Sequence, residues 1–227
     1  MFDIEKFESL EVRNLNFSYP EKFNRALDGI SFKLERGKSL GIVGETGSGK
    51  TTLIEVLCRQ YPVPVGSMLV NGHSIEQITM RSLRKLMAVV PQEAFLFSRR
   101  VGENLALSQE TWELDDVQDA AKSVRLHQEI QSRPDAYDAM VGERGVNLSG
   151  GQKQRMTLAR ALMKNAELVI LDDSMSAVDS KTEQLILSRI KTETSAIIVS
   201  HRLASVSFAD NILVMKNGKV EAYGSHD

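Results

Sequence analysis

The octapeptide GETGSGKT, at residues 44–51, contains the residue types that bind phosphate groups. The glycines Gly44, Gly47 and Gly49 allow backbone angles at which successive N–H groups point towards one anion. Lys50 adds a full positive charge, and a helix beginning there adds the partial positive charge of its N-terminus. The spacing G-x-x-x-x-G-K-[ST] after an apolar strand therefore predicts a nucleoside triphosphate site.

Hydroxyl and carboxylate groups near this loop would complete the site. The hydroxyl of Thr51 suits Mg²⁺, which keeps several waters and needs few protein ligands. A second stretch, VILDD, ends an apolar run with Asp172 and Asp173. If that strand closes the site, Asp173 lies where hydrolysis would take place. The predicted nucleotide-binding residues in this part of the chain are Gly44, Glu45, Thr46, Gly47, Ser48, Gly49, Lys50, Thr51 and Thr52, and the expected cofactors are ATP and Mg²⁺.

The composition is that of an ordinary soluble globular protein. The chain has 227 residues, of which 42% are hydrophobic and 26% charged, and its formal net charge is −2. This length allows one domain with a substantial core. The near-neutral charge does not favour a nucleic-acid partner. The single cysteine, Cys58, allows no internal disulfide, which fits a reducing compartment, and no apolar run reaches the ~18–20 residues of a bilayer span.

The hydrophobic pattern predicts strands that alternate with helices. Half-buried strands are predicted at 10–19 and 26–34, and shorter apolar strands at 39–43, 167–172, 196–200, 211–215 and 219–223. Helices are predicted at 50–59, 112–130 and 179–193, with Arg125 near the end of the second and a further helix capped by Ser149. This alternation indicates a parallel sheet covered by helices, into which the helical middle is inserted.

A second motif, LSGGQ, consists of Leu148, Ser149, Gly150, Gly151 and Gln152. Ser149 can cap a helix, and the two glycines let a ligand approach bare backbone N–H groups. Together with GETGSGKT, this motif resembles the nucleotide-binding domain of ATP-binding cassette (ABC) transporters over essentially the whole chain. The resemblance implies an α/β fold: a P-loop NTPase (RecA-like) core with a mostly parallel sheet, an N-terminal antiparallel β subdomain and an inserted α-helical subdomain.

The resemblance also implies a domain layout and further site residues. We expect one domain, with the ATPase core in 1–92 and 166–227 and the helical subdomain in about 93–165. Tyr19 would stack on adenine, Gln92 would reach Mg²⁺ and the attacking water, and Asp172 would act on Mg²⁺ through water. His201 would contact the γ-phosphate, and Asp179 would lie in a loop at a dimer interface. In a head-to-tail dimer, each LSGGQ would cover the other subunit's ATP.

Three stretches resemble the exporter branch of this family: MRSLRKLMAVVPQEAFLFSRRVGENL, VGERGVNLSGGQ and SHRLASVSFADNILVMKNGKVEAYGSHD. Exporters carry a membrane domain ahead of this one, so we expect the chain to be part of a longer polypeptide. Transmembrane domains would dock on the region from Gln92 to Phe97 and on Glu143. Phe95 and Phe97 would either face that partner or lie in the core. The domain itself would be soluble, at the cytoplasmic face of a cell membrane.

The residue after the Mg²⁺ aspartate is usually Glu in this family, where it acts as a general base towards water. Here it is Asp173, whose carboxylate is withdrawn by one C–C bond, roughly 1.5 Å. A displacement of about 1 Å can cost on the order of a hundredfold in rate. We therefore expect ATP to bind but to be hydrolysed weakly, as in the degenerate half of a heterodimeric exporter. A homodimer in which the backbone adjusts around Asp173 is the alternative.

The predicted function is that of the ATP-binding motor domain of an exporter, in which Lys50, Gln92, Asp173 and His201 serve catalysis. Two other functions remain open at this point. A soluble ABC ATPase of the DNA-repair or translation type would usually contain long coiled coils or a second cassette. The motif spacing leaves no room for a coiled-coil insertion, and the charge is not basic. A regulatory nucleotide-binding module with little turnover would fit Asp173, although Gln92 and His201 indicate that the machinery of hydrolysis is retained.

Overall fold

Ten strands form two sheets in this computed structural model, which describes residues 1–20 and 24–226. The strands are β1 (Ser9–Phe17), β2 (Leu27–Glu35), β3 (Ser39–Gly44), β4 (Met68–Val70), β5 (His73–Ser74), β6 (Met87–Val90), β7 (Leu168–Asp172), β8 (Ser195–Val199), β9 (Asn211–Lys216) and β10 (Lys219–Gly224). The helices are α1 (Lys50–Leu57), α2 (Met80–Leu86), α3 (Val101–Leu105), α4 (Leu114–Ser123), α5 (His127–Gln131), α6 (Gly150–Met163), α7 (Ser180–Glu193) and α8 (Leu203–Val206). None of the helices in the described residues is long and apolar enough to cross a membrane.

The larger sheet has the strand order β10-β9-β3-β8-β7-β6 and is parallel except for β10. Its central strands are buried on both faces, as parallel sheets require. In β7, Leu168 and Ile170 contact one hydrophobic cluster while Val169 and Leu171 contact the other. This two-sided burial explains why these strands are continuous apolar runs. It also confirms the predicted α/β fold with a mostly parallel sheet.

The smaller sheet is antiparallel, with the order β2-β1-β4-β5. Its inward residues, among them Leu10, Leu15 and Ile30, share a cluster with α1 and with one face of the larger sheet. The outward residues of β2 alternate with these and remain exposed or half-buried. The sheet therefore covers α1, the helix that follows the phosphate loop.

The helical insertion lies between β6 and β7, which are neighbours in the larger sheet. The prediction of a single helix at 112–130 is wrong, because this stretch forms two helices, α4 and α5. Arg125 adopts a left-handed backbone with φ 54°. The N–H of Leu126 then bonds to the carbonyl of Ala121, and that of Arg125 to Lys122, which closes α4 in a Schellman motif. Arg125 therefore lies beyond the helix whose dipole it was expected to complement.

Asp210 joins the start of β3 to the start of β9. Its carboxylate accepts hydrogen bonds from the N–H of Ser39 at 2.9 Å and from the Ser39 hydroxyl at 2.7 Å, and Lys38 lies 3.3 Å away. Burial works to raise the pKa of Asp210, but these hydrogen bonds and the Lys38 charge outweigh it and hold the pKa below its usual value. The carboxylate therefore stabilises the register of the strand that leads to the phosphate loop.

We predict that Asp210→Asn lowers the free energy of unfolding by about 1.5–3 kcal/mol at pH 7, because it removes hydrogen bonds to a charged group. A lowered folded-state pKa contributes stability that is present above the unfolded value and is lost as pH falls through the folded value. The variant should therefore lose less stability than the wild type on acidification below about pH 4. Urea unfolding across pH measures both effects, and parallel pH profiles would contradict the assignment.

Candidate functional site

The phosphate loop, residues 44–51, lies against the end of β9. A Cβ on Gly44 would stand 2.2 Å from the carbonyl oxygen of Met215, and one on Gly49 would stand 2.8 Å from that of Ala26. Both glycines also have positive φ, at 157° and 101°. Two independent constraints thus require glycine at these positions, namely close backbone approach and a backbone conformation that other residues rarely adopt.

Lys50 is the buried cation of this loop. Its ammonium donates to the carbonyls of Gly44 and Glu45, at 2.7 and 2.8 Å. Burial lowers the pKa of Lys50, and the charges of Asp173 and Asp172 oppose that shift. The side chain of Glu45 itself is exposed. The lysine is therefore held inside the loop with two acids nearby, where it can act on an anion bound there.

An open cleft of about 530 Å³ surrounds these residues. It contains most of the residues predicted from the two motifs and from the resemblance. The predicted residues that line it are Tyr19, Thr46, Gly47, Gly49, Lys50, Thr51, Thr52, Gln92, Asp172, Asp173 and His201. Strands β7 and β8 are parallel neighbours of the central sheet, so residues that follow their carboxyl ends meet the loop that follows β3.

Asp172 ends β7 inside the core, and it lines the cleft together with Thr51. Burial raises the pKa of Asp172, with Asp173 adding to the rise while Thr51 and Lys50 counter it. No group of three or more His, Cys, Asp or Glu side chains in the described chain could hold a metal. The hydroxyl of Thr51 and the carboxylate of Asp172 are oxygen donors of the kind that Mg²⁺ binds together with several waters.

Asp173 has a left-handed backbone, with φ 44°, and its N–H donates to the carbonyl of Val199 at 2.9 Å. Its carboxylate lies 3.7 Å from Nε2 of His201. Asp adopts positive φ more readily than most residues. The hydrogen bond fixes the main chain at this position, so the reach of the carboxylate into the cleft depends on the length of the side chain.

The LSGGQ segment forms the start of α6, as predicted. The hydroxyl of Ser149 accepts from the N–H of Gln152 at 3.2 Å, and Oε1 of Gln152 accepts from the N–H of Ser149 at 3.0 Å, which makes a capping box. A Cβ on Gly151 would stand 2.7 Å from the carbonyl oxygen of Ala177. A Cβ on Gly150 would stand 3.9 Å from the Cβ of Ala177, which is an ordinary contact distance. Gly151 is therefore needed for packing within this chain, and Gly150 leaves the helix start open.

Among the described residues that line the cleft, none belongs to the LSGGQ segment. The segment is instead fixed within the helical insertion by Glu129. The carboxylate of Glu129 accepts from the side-chain amide of Gln152 at 2.8 Å and from both terminal nitrogens of Arg155, at 2.7 and 3.0 Å. Burial works to raise the pKa of Glu129, but these donors keep it below its usual value. Glu129 was not predicted from the sequence, because its contacts span more than 20 positions.

Asp179 also lies outside the cleft, and it caps α7 by accepting from the N–H of Thr182 at 3.0 Å.

The segment from Gln92 to Phe97 leads from the cleft to an exposed aromatic pair. The rings of Phe95 and Phe97 are 5.0 Å apart and edge to face, and their exposed fractions are 50% and 39%. The two phenylalanines are thus exposed, so the core placement considered from the sequence is wrong. Glu143 is exposed as well, in a short 3₁₀ turn before α6.

Buried polar groups hold this segment in shape. Asn104 is fully buried, and its side chain accepts from the N–H of Phe97 and donates to the Phe97 carbonyl, both at 2.9 Å. Arg160 donates to the side chain of Asn104 at 3.1 Å and to the carbonyl of Phe95 at 3.0 Å. Burial lowers the pKa of Arg160 to about 10, so it remains a cation at neutral pH. Asn104 and Arg160 therefore fix the backbone beneath the aromatic pair.

Some residues of the cleft were not predicted from the sequence as site residues. Asn24, Arg25, Ala26, Val199, Asn217 and Gly218 also line the cleft. Asn217 and Gly218 follow β9, and their place beside the phosphate loop results from the pairing of β9 with β3. There the N–H of Gly218 donates to the carbonyl of Ser48 at 3.0 Å. This contact joins residues 170 positions apart, which local patterns do not reveal.

Comparisons with known proteins agree with this geometry. A family model described as "ABC transporter" matches residues 27–176. The chain is 42% identical over 227 residues to a probable multidrug resistance ABC transporter ATP-binding/permease protein, YheI, of Bacillus subtilis, covering 99% of this chain and 39% of that protein. It is 40% identical over 228 residues to ABC transporter B family member 6 of Dictyostelium discoideum, covering 96% and 34%.

A solved structure of a bacterial Atm1-family ABC exporter with ATP bound is similar in fold. Its TM-score is 0.93 at 36% sequence identity, and the match covers 99% of this chain and 40% of that one. The chain thus spans well under half the length of the relatives it matches.

We predict that Asn104→Leu, which keeps the side-chain volume, lowers the free energy of unfolding by about 2–4 kcal/mol, because it leaves several buried polar groups unpaired. The amide of Phe97 should also exchange its hydrogen faster. Urea unfolding and hydrogen exchange measure these effects. Gln131→Leu, at an exposed position, is the control and should change stability by under about 0.5 kcal/mol. Equal effects of the two substitutions would contradict the role given to Asn104.

Proposed function

Because the chain belongs to the ABC transporter family, we propose that it is the ATP-driven motor domain of an exporter, acting at the cytoplasmic face of a cell membrane. The observation that carries the proposal is the cleft itself. It brings the phosphate loop together with an aromatic ring and with polar groups from three strand ends, Gln92, Asp172 and His201. The printed names of the similar proteins, an ATP-binding/permease protein and an exporter, support the exporter assignment.

ATP would bind with its phosphates in the loop, where backbone N–H groups, the N-terminus of α1 and Lys50 meet negative charge. Thr51 and Asp172, with Gln92 at the cleft edge, would hold Mg²⁺; their oxygens match its preference. The ion would neutralise charge on the terminal phosphates. His201 would donate to the γ-phosphate, and Tyr19 would stack on the base. Catalysis would then consist of positioning and electrostatic stabilisation.

A second ABC domain would complete the site. The LSGGQ segment is rigidly capped and clamped to Glu129, yet the helix start at Gly150 is open. It lies outside the cleft of its own chain as described above, so its bare N–H groups are available to an ATP bound elsewhere. We infer that two domains associate head to tail, with each LSGGQ facing the partner's nucleotide and the Asp179 loop at the interface.

Transmembrane domains would dock on the surface that carries Phe95, Phe97 and Glu143. An exposed aromatic pair is costly in water and typical of interaction surfaces. Asn104 and Arg160 hold its backbone in place, so it can meet a partner without being reordered. Gln92 lies on the same segment, which offers a direct route between the docked partner and the cleft.

The docking surface can be tested by co-purification. When the two are expressed as separate polypeptides in one cell, the domain should be recovered with the membrane-spanning part of its exporter from detergent extracts. The double substitution Phe95→Ser and Phe97→Ser should weaken this recovery at least about tenfold, since it removes aromatic anchors. ATP affinity should be unchanged. Leu185→Ser, at another exposed apolar position, is the matched control. Recovery with the membrane-spanning part that is equal in the wild type and the double variant would contradict the docking surface. Recovery with soluble partners only would favour a soluble ABC ATPase.

Asp173 distinguishes this site from one with full hydrolytic activity. We propose that the cleft binds ATP but turns it over slowly, because the shorter Asp side chain does not bring its carboxylate to the attacking water. The hydrogen bond from the Asp173 N–H to Val199 supports this proposal. Moving the carboxylate forward by backbone adjustment would break that bond. A homodimer with two such sites would be a weak motor, so we favour a heterodimer whose partner carries the competent base.

We predict that Asp173→Glu raises ATP turnover of the isolated domain by roughly ten- to a hundredfold, because a displacement of about 1 Å carries a penalty of that order. The affinity for ATP should stay within about twofold, since the loop provides it. Steady-state phosphate release and calorimetric titration measure the two quantities. Asp173→Asn is the matched control and should turn over about as slowly as the wild type.

Two outcomes would contradict this assignment. If the wild type is as fast as Asp173→Glu while Asp173→Asn is inactive, Asp173 is itself a working base and the homodimer is favoured. If the Glu variant remains slow even when mixed with an excess of a competent ABC domain, the chain is a regulatory nucleotide-binding module.

A further inference from the structure

The ring of Tyr19 is tethered by its hydroxyl to α1. The hydroxyl donates to a carboxylate oxygen of Glu55 at 2.7 Å and lies 2.9 Å from the hydroxyl of Thr52. Because its single proton goes to Glu55, Tyr19 accepts the proton of Thr52. Burial raises the pKa of the Tyr19 phenol, which keeps it a donor at neutral pH. The one hydroxyl oxygen of Tyr19 therefore makes hydrogen bonds with both Thr52 and Glu55 on α1.

Two further aromatic rings support Tyr19 edge-on. The ring of Phe17 lies 5.2 Å from it at 77°, and that of Tyr61 lies 5.3 Å from it at 88°. Edge-to-face contacts of this kind are favourable and hold a ring at a defined angle. Tyr19 also lines the same cleft as the phosphate loop.

The tether also connects the aromatic ring to the phosphate cradle. Thr52 and Glu55 lie on the first two turns of α1, the helix that begins at Lys50. Thr52 is buried, and Glu55 is half-buried. The ring and the anion site are thus fixed to one short rigid element, so the distance between them is set by helix geometry. A nucleotide spans a base and phosphates, and this arrangement matches both ends.

From these contacts we propose that Glu55 is a positioning residue for base recognition: its carboxylate holds the Tyr19 ring in place as a stacking surface for the nucleotide base. The inference rests on the proposed function, in which Tyr19 stacks on adenine. Glu55 does not touch the nucleotide and acts through Tyr19. Because Glu55 holds the ring in place beforehand, the tyrosine need not be ordered when the nucleotide binds, and stacking of the base contributes more to the affinity for the nucleotide.

The test compares ATP with inorganic tripolyphosphate, which carries the phosphates without the base. Calorimetric titration of the whole chain with each gives a ratio of dissociation constants that isolates the contribution of the base. Glu55→Leu and Glu55→Gln both remove the negative charge, and any electrostatic effect on the phosphates cancels in the ratio. Only the Gln variant retains an oxygen that can accept from Tyr19.

We predict that Glu55→Leu reduces the preference for ATP over tripolyphosphate by about three- to tenfold, the cost of ordering one side chain on binding. Glu55→Gln should stay within about twofold of the wild type, because the acceptor is kept. In a Tyr19→Phe background, Glu55→Leu should have almost no further effect, since the two residues act as one unit. Retained tripolyphosphate binding shows that each variant is folded.

Different results would contradict the positioning role of Glu55 and the stacking role of Tyr19. If Tyr19→Ala abolishes the ATP preference but Glu55→Leu leaves it intact, the positioning role is wrong and the stacking role stands. The same conclusion follows if Glu55→Leu lowers the preference equally in the Tyr19→Phe background. If the wild type prefers ATP no more than tripolyphosphate, base stacking by Tyr19 fails and the positioning role fails with it. If the wild type binds neither, the proposed function fails.

Discussion

The close backbone contact between the end of β3 and the end of β9 is the constraint on which the site depends. Gly44 leaves no room for a side chain against the Met215 carbonyl, and the two residues are partners in the parallel pairing of these strands. The turn after β9 adds the hydrogen bond from Gly218 to Ser48. The phosphate loop is therefore shaped by the neighbouring strand as well as by its own glycines.

Motif residues were predictable from sequence because they are contiguous or follow apolar strands. The phosphate loop, the Ser149 cap and the strands that precede Asp172 and His201 each have a local pattern, and parallel strand ends meet at one edge. The elements α2, β5 and β6 were not predicted. They are short, and α2 is followed directly by β6. No turn residue therefore separates the helical spacing of hydrophobic residues from the alternating spacing of the strand. Long-range polar contacts, such as those of Glu129, Asn104 and Glu55, have no local pattern at all.

Electrostatic balance in the cleft explains why phosphate and a cation belong together there. Lys50 faces two carboxylates, and burial disfavours the charged forms of both Lys50 and Asp172. A triphosphate alone would bring more negative charge next to these acids. A divalent cation held by Thr51 and Asp172 would offset it, and buried carboxylates are stabilised when paired in this way. On the proposed function, the acids would therefore favour a metal-bound polyphosphate over a free anion.

Binding and hydrolysis depend on different parts of the architecture. The groups that would bind ATP lie on one continuous segment, the loop and α1, and Tyr19 is tied to that same helix. The groups that would act on water lie at the ends of other strands, and the backbone of Asp173 is fixed there by its contact with Val199. Because the backbone there is fixed, one methylene at position 173 changes the reach of the carboxylate without moving any part of the cradle. A site of this kind can lose turnover in a single substitution and keep its affinity. A paired domain could then rely on the bound nucleotide and on an intact LSGGQ segment, which Glu129 holds within the helical insertion.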